Sequence, residues 1–433
     1  MNTHQKVLAE VDKLKERLVA ATSQCIQIES INPKYPGQVY EDLVGGEGRA
    51  SRFMAELYRE AGANIDFVTA EPGRDNAVGV VPGAGGGRSL ILNGHVDVVP
   101  PNREELWERP PFSGAVDEGR IYGRGATDCK GGVVAAAFAA IALKNAGVNL
   151  KGDLILQSVV GEEVGDHEAG TSAVLAAGYK GDAAIVVEPT SFDETAPNAV
   201  PVTPGLLWFS VEIEGRAAHS GLRGLTVHPT LEGESLGVNT IDKFWVIYNA
   251  LRALENEWAL RDRHDLFPPG YFNILPGVLS AHPHGVEIPF FLADHLRVEY
   301  CVYHHPSRTN EEVMSEIRRA VAHACEGDSW LRNHPAVVTE KLLWAPYEAP
   351  EDHPIHECVA RSFSAVTGRG ITREGFLGVC DLTWAKNAGI EGIAFGPGVG
   401  RTAHAIDEYV MIDQLVTACK TYALAAVEFC GAV

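Results

Sequence analysis

Three short apolar runs in the first half of the chain each end in side chains that can bind a metal ion. Residues 90–92 lead to His95 and Asp97, residues 154–160 to Glu162 and Glu163, and residues 183–187 to Glu188. Short apolar runs of this kind are typical of strands buried in a parallel sheet. Because α/β folds carry their chemistry at the carboxyl ends of such strands, the pattern predicts a functional site at one edge of a sheet.

The pair His95 and Asp97 has two interpretations when taken alone. A histidine two residues from an aspartate is common as a satisfied surface pair. On a strand, however, both side chains share one face, so the carboxylate can orient the imidazole of a metal ligand. The neighbouring runs favour the second interpretation.

A glycine-rich segment at residues 123–132 contains Asp128 and Lys130 and precedes an alanine-rich apolar stretch. A phosphate-binding loop is one interpretation, but the required order of glycine, lysine and hydroxyl residue is absent. Asp128 is better explained as a metal ligand. A late loop at residues 403–408 adds His404, with Asp407 and Glu408 close behind it.

Glu162 and Glu163 are adjacent acids, which repel each other unless a cation lies between them or one is protonated. Carboxylates and imidazoles together are ligands for zinc, manganese or cobalt. The spread of these ligands over three strands and one late loop suits a site with two divalent cations, with zinc as the first choice.

The order and spacing of these motifs resemble a family of two-metal amidohydrolases and peptidases. Its members include acetylornithine deacetylase, succinyl-diaminopimelate desuccinylase, aminoacylase and carboxypeptidase G. The resemblance runs from the motif at residues 30–33 to the motif at residues 404–408. It therefore covers nearly the whole chain.

The resemblance implies a role for each candidate residue. Asp128 would bridge two cations, with His95 and Glu188 completing the ligands of one, and Glu163 and His404 those of the other. The remaining roles fall to Glu162 as general base, Asp97 as the group that orients His95, and His219 as the donor that stabilises the tetrahedral intermediate from the partner subunit of a dimer. The peptide between Asp128 and Cys129 would be cis.

The arrangement of elements predicts an α/β fold, with a mainly parallel-sheet catalytic domain and an inserted α+β dimerisation and lid domain. We expect the catalytic domain at residues 1–204 and 328–433, and the insert at residues 205–327. Within the insert, strands are predicted near 207–213 and 296–303, and helices near 239–259 and 311–324.

The composition of the chain restricts the kinds of molecule that it is expected to bind. A net charge of −21 argues against nucleic acid and anionic membranes. No apolar run looks long enough for a membrane span, and the chain opens directly into a helix pattern without a secretory signal. The eight cysteines show no Cys-x-x-Cys spacing, so we expect a reduced, cytoplasmic protein with a small-molecule substrate, acting as a homodimer through the insert.

The substrate is the least constrained feature. Relatives that bind an α-carboxylate often carry an arginine at two positions. In this chain, Val302 or a neighbour stands at the first position, and Leu382, directly after Asp381, stands at the second. Tyr303 and Trp384 lie nearby and suggest an apolar or aromatic group. The preferred function is amide deacylation, with an exopeptidase, a hydrolytic deaminase of an aromatic amine, and an inactive metal-binding protein as alternatives.

For the other polar residues, the sequence leaves the role undecided or favours a structural role. Arg401 could reach a substrate anion or form an ion pair. The motif His282-Pro283-His284 and the pair His304-His305 have no acids at ligand spacing, so we interpret them as surface or interface residues.

Overall fold

The computed structural model of the chain describes residues 1–226 and 233–433. The chain forms two units. The first comprises Met1–Val202, Glu348–Phe376 and Cys380–Val433, and the second comprises Thr203–Tyr347 with Leu377–Val379. An insert therefore interrupts the first unit in sequence.

Strands and helices are numbered in chain order within the described residues. The strands are β1 (Asn64–Glu71), β2 (Arg74–Val81), β3 (Leu90–His95), β4 (Val116–Asp117), β5 (Arg120–Tyr122), β6 (Leu154–Val159), β7 (Ala183–Val186), β8 (Ala199–Thr203), β9 (Gly205–Glu214), β10 (Asn273–His282), β11 (His295–His304), β12 (Val337–Trp344), β13 (Tyr347–Glu348), β14 (Arg373–Gly375), β15 (Gly392–Ala394) and β16 (Tyr409–Met411). The helices are α1 (Thr3–Ile26), α2 (Tyr40–Leu43), α3 (Gly46–Glu60), α4 (Gly131–Asn145), α5 (Thr171–Ala176), α6 (Arg223–Thr226), α7 (Gly233–Leu236), α8 (Thr240–Arg261), α9 (Asn310–Gly327), α10 (Pro354–Thr367), α11 (Leu382–Asn387) and α12 (Ile412–Cys430).

The first unit is built on a mixed sheet whose centre is parallel. Its strand order is β1-β2-β6-β3-β7-β15-β8-β13, with β14 beside β8. β3 pairs in parallel with β6 and β7, and β15 pairs in parallel with β7. Every residue of β3, β6 and β7 is buried, which explains the apolar residues that open each of these strands. The predicted α/β class is confirmed.

Helix α4 is the central helix of the first unit. It packs against α1, α12 and β3, and alanine is its commonest residue, which allows this close packing on several sides. Among the described residues, Ala126–Asn145 is the one helical stretch apolar and long enough to cross a membrane, and 94% of it is buried inside the structure. The expectation that no segment reaches this length is corrected, but a buried core helix passes the same test.

The second unit is an antiparallel sheet with strand order β10-β11-β9-β12 and helices α8 and α9. Buried and partly exposed residues alternate along β11, as in a sheet with one face on a core. Helix α9 begins with a capping box formed by Thr309 and Glu312. β12 pairs with β9 in this sheet. The expected boundary at residue 327 therefore comes too early, because the insert continues through β12.

Candidate metal centre

The ends of three neighbouring strands place the first group of candidate residues at one edge of the sheet. His95 ends β3 and is fully buried, as is Asp97 beyond it. After β6, Gly161 adopts φ 86°, a left-handed conformation that favours glycine, and turns the chain into the single 3-10 turn Glu162–Val164. Glu188 follows β7 and is 3% exposed. Because β3 is parallel to β6 and β7, these ends meet.

Two further segments bring Asp128 and His404 to the same edge. Asp128 lies in the irregular turn Ala126–Lys130 that precedes α4, and its peptide bond to Cys129 is cis, as the resemblance implied. His404 follows the 3-10 turn Gly400–Thr402 and adopts φ 60°. The structure thus brings together all five predicted ligands, although they come from distant parts of the sequence.

The two carboxylate oxygens of Asp128 face different histidines. Oδ1 lies 3.1 Å from His95 Nε2, and Oδ2 lies 3.3 Å from His404 Nε2. A second acid accompanies each histidine, with Glu188 Oε1 3.6 Å from His95 Nε2 and Glu163 Oε2 3.0 Å from His404 Nε2. Asp128 is therefore flanked on each side by one histidine and one glutamate, the symmetry expected of a carboxylate shared by two cations.

Glu162 lies beside this cluster. Its Oε2 is 4.0 Å from His95 Nε2, and its side chain is 11% exposed. Burial raises the pKa of Glu162 well above its usual value, and the charge of His95 opposes the shift. An acid with a raised pKa next to a reacting centre is suited to accept and return a proton.

Asp97 contacts His95 in a different way from the one predicted. The nearer acceptor for His95 Nδ1 is the backbone carbonyl of Asp97 at 2.9 Å, while the carboxylate Oδ1 is 3.6 Å away. The other carboxylate oxygen accepts from Asn32 Nδ2 at 2.8 Å and from the N–H of Glu163 at 3.1 Å. Asp97 therefore orients Glu163 as well as His95.

The pKa values of the grouped residues indicate that the negative charges of the acids are only partly compensated by the two histidines. Burial raises the pKa of Glu188 well above its usual value. Burial also acts on Asp128, but hydrogen bonds from His404 and His95 outweigh it and hold the pKa of Asp128 below its usual value. Burial lowers the pKa of His404, whereas Glu163 and Asp128 raise it, with a net result of about 12. The acids demand compensating positive charge, which divalent cations would supply instead of protons.

Unsatisfied oxygens support the same conclusion. Within the described part of the chain, Glu163 Oε1, Glu188 Oε1 and Asp97 Oδ1 are buried without a hydrogen-bond partner. Buried oxygens without a hydrogen-bond partner are rare in folded proteins, and a bound ion is one explanation for them. The donor set, two imidazoles and three carboxylates, fits divalent cations. The residues present therefore fit the metal that the resemblance implies.

Two acids that the sequence analysis did not assign also belong to the site. Glu408 accepts from the N–H groups of Thr127 at 2.8 Å and Asp128 at 3.1 Å, and its other oxygen pairs with Arg124. Asp381 is 2% exposed and accepts from Thr171 at 2.6 Å, and burial raises its pKa to about 6. Glu408 lies in the motif at residues 404–408, but no pattern near it in the sequence indicates that it contacts the segment around Asp128.

Three other residues considered in the sequence analysis, Cys129, His219 and Trp384, are not among the five grouped ligands. The thiol of Cys129 is buried and exchanges contacts with the backbone of His95, at 3.2 and 3.4 Å. His219 belongs to the second unit, where its Nδ1 accepts from the N–H of Gly221. Trp384 stacks on His167 with ring centroids 3.5 Å apart. The catalytic role of His219 stays a prediction.

A buried parallel sheet with two histidines and several carboxylates at its carboxyl edge defines a metal-dependent hydrolase. The model of Peptidase family M20/M25/M40 matches residues 91–428, and the chain belongs to this family. The predicted resemblance is confirmed. The protein is accordingly a metal-dependent hydrolase of amide-type C–N bonds with a small-molecule substrate.

Two relatives match almost the full length of the chain. The N-formyl-4-amino-5-aminomethyl-2-methylpyrimidine deformylase of Halalkalibacterium halodurans is 32% identical over 98% of this chain and 97% of its own. The enzyme of the same name from Bacillus subtilis is 31% identical over 95% and 94%. A succinyl-diaminopimelate desuccinylase from Paracoccus denitrificans is 40% identical, but over only 32% of this chain and 37% of its own.

Solved structures show the same fold at low sequence identity. The di-peptidase Dug1p from Saccharomyces cerevisiae superimposes with a TM-score of 0.75 and 16% identity, covering 99% of both chains. The M20 metallo-carboxypeptidase Sso-CP2 from Sulfolobus solfataricus gives a TM-score of 0.72 and 17% identity, covering 95% of this chain and 98% of its own.

Proposed function

We propose that the chain removes the formyl group from an N-formylated aminomethylpyrimidine, or from a closely similar aromatic amide. The observation that carries the site assignment is the Asp128 carboxylate, whose two oxygens face His95 and His404. The substrate assignment is supported by the two full-length relatives that bear this activity in their names.

The residues at the positions where the resemblance leads us to expect arginines, Val302 or a neighbour and Leu382, also support this substrate class. Val302 and Leu382 are both fully buried and apolar, so neither can bind a carboxylate. An N-acyl amino acid would lose a bidentate contact at such positions. A formylated aminopyrimidine carries no carboxylate and loses nothing.

In the proposed site, His95 and Glu188 would hold one divalent cation, Glu163 and His404 would hold the other, and Asp128 would serve both. When bound, the cations polarise the amide carbonyl and make the attacking water more acidic. Zinc is the proposed metal, with cobalt and manganese as alternatives that this donor set also accepts.

Glu162 performs the proton transfers in this proposal. It takes a proton from the attacking water and returns it to the amine nitrogen as the C–N bond breaks. Formate and the free amine are the products. Asp97 keeps the N–H of Glu163 fixed through a hydrogen bond, so that the acids after β6 keep their positions.

We also propose a cytoplasmic homodimer in which His219 acts across the interface. The exposed apolar side chains of the edge strand β10, Leu275, Val278 and Leu279, support an interface on the second unit. All eight cysteines are free and seven are buried, as suits a reducing compartment. Light scattering of the full chain, and of a Val278→Asp variant that should dissociate, tests the dimer.

A substrate panel tests the proposed activity. The zinc-loaded enzyme is assayed with N-formyl-4-amino-5-aminomethyl-2-methylpyrimidine, N-acetylornithine, N-succinyl-diaminopimelate and unblocked dipeptides. We expect formate release from the pyrimidine, with kcat/KM above the others by about two orders of magnitude. Faster turnover of dipeptides would instead establish an exopeptidase, and ammonia release from aminobenzoates a deaminase.

A further inference from the structure

A row of polar side chains crosses three adjacent strands of the second unit. His282 on β10 lies opposite His295 on β11, and His295 lies opposite Glu214 on β9. Directly opposite residues project from the same face of a sheet, so these three side chains are neighbours. The row ends at the connection between β10 and β11, where the chain also carries His284.

The contacts within this row bring two histidines and two acids together. His295 Nδ1 lies 3.0 Å from Glu214 Oε1. The rings of His284 and His295 have centroids 5.2 Å apart, and His284 Nδ1 lies 3.1 Å from Asp294 Oδ1. One ligand atom from each of Glu214, His284 and His295 falls within 4.8 Å of the others.

We propose that Glu214, His284 and His295 bind a further divalent cation of the zinc type, through residues of the second unit alone. Two imidazoles and one carboxylate form a three-ligand set to which zinc adds water as the fourth ligand. Asp294 supplies the carboxylate that commonly orients a ligating imidazole from behind, here at His284. The side chains of Glu214 and His284 are 62% and 63% exposed, so a cation has access.

The proposed site would give a cation-binding role to part of the motif His282-Pro283-His284, which the sequence predicts to lie at the surface or an interface. In the sequence, the nearest acid to these histidines is Glu287, three residues after His284. The structure supplies Glu214 from a strand that is far away in the chain, and Asp294 from the end of the connection.

The cation would stabilise a connection that lies beside His219. The N–H of Ser220 donates to Phe290 O at 2.9 Å, and the N–H of Leu292 donates to Ala218 O at 2.8 Å. His219 itself forms a β-bridge with Phe291. Because Asp294 ends this connection and contacts His284, a cation held by His284 and His295 would fasten its two ends.

Zinc stoichiometry of the full chain tests the proposal. Metal-free protein is dialysed against buffered zinc, and bound zinc per chain is measured by plasma mass spectrometry. The double variant His284→Ala/His295→Ala is expected to bind one zinc fewer than wild type. The matched control is His323→Ala, which removes an exposed histidine that pairs with Glu326. It should bind as much zinc as wild type.

Two further variants distinguish the zinc of the second unit from the zinc of the first unit's centre, and provide for a double variant that fails to fold. Asp128→Asn should weaken zinc binding at the first unit's centre, and adding the double substitution should lower the zinc bound by this variant by one further equivalent. Glu214→Gln should weaken binding of that zinc by about tenfold or more, and it serves if the double variant fails to fold. Equal zinc content in wild type and the double variant, or an equal loss in His323→Ala, would overturn the proposal.

Discussion

The carboxylate of Asp97 accepts a hydrogen bond from the backbone N–H of Glu163 at 3.1 Å, and the same oxygen accepts from Asn32 Nδ2 at 2.8 Å. These contacts join the ends of β3 and β6, which carry ligands proposed for different cations. Asp97 therefore positions Glu163 through the backbone while its own carbonyl faces His95 Nδ1.

Asp97→Asn should weaken cation binding. The amide oxygen can replace Oδ2 and keep the contacts with Asn32 and Glu163, but the NH2 group then takes the place of Oδ1, 3.6 Å from His95 Nδ1, and the negative charge behind this imidazole is lost. We expect the affinity for zinc to fall by about 10–100-fold, the range found for groups that orient metal ligands. Competition with a chromophoric chelator measures it. Unchanged zinc affinity would show that the negative charge of Asp97 beside His95 does not support cation binding.

Glu162→Gln should abolish proton transfer while leaving the cations in place. We expect kcat to fall by about 10²–10⁴-fold with zinc content unchanged, because the amide cannot accept the water's proton. The control is Glu168→Gln, whose side chain is 74% exposed and pairs with His167. Retained turnover in Glu162→Gln with bound zinc would exclude this residue as the general base.

Asp166 anchors the loop that carries Glu162 and Glu163 to a buried ion-pair network. Its Oδ2 contacts Arg74 and lies 2.9 Å from Lys34 Nζ, while Arg74 is fully buried and pairs with Glu47 through two hydrogen bonds. The backbone N–H of Asp166 also donates to Gly161 O at 2.8 Å. The network therefore ties the loop to the body of the first unit.

Asp166→Asn should lower stability by about 1–3 kcal/mol, because Arg74 loses one charged partner but keeps Glu47. It should also lower zinc affinity and kcat, since the loop acids lose their anchor. Asp75→Asn is the control. Asp75 is 20% exposed, close to the 18% of Asp166, and its ion pair is formed with the more exposed Arg52, away from the loop. Equal kinetic effects in the two variants would argue against a positioning role, with stability followed by urea denaturation.

Removal of the cations should destabilise the first unit. Without them, Glu163, Glu188 and Asp128 remain close together with no divalent charge between them. Zinc at about 100 times its dissociation constant should add about 2.7 kcal/mol through preferential binding to the folded state. Calorimetry should show a melting temperature that rises with free zinc, whereas no dependence on zinc would contradict the assignment.

The parallel sheet and its ligand edge were predictable because the signals are local. Runs 90–92 and 183–187 are apolar throughout, run 154–160 is apolar except for Gln157 and Ser158, and each is followed by residues whose chemistry is visible in the sequence. Within the insert, the strands β9 and β11 and the helices α8 and α9 were predicted from the sequence, whereas β10 and β12 were not. In each case the residues that carry the signal are neighbours in the chain.

Long-range contacts account for what the sequence did not predict. The extent of the insert depends on the pairing of β12 with β9, which no local pattern reveals. Glu408 reaches the N–H of Asp128 across most of the chain, and Glu214 reaches His295 from another strand. Such partners depend on tertiary packing, so a search for ligands at close spacing passes over them.

Anomalous diffraction from zinc-loaded crystals tests the central claim most directly. The account predicts two zinc peaks in the first unit, one between Asp128, His95 and Glu188 and the other between Asp128, His404 and Glu163. Asp128→Asn should weaken both peaks. A zinc-loaded, active enzyme with no peak beside Asp128, or with peaks unchanged in Asp128→Asn, would contradict it.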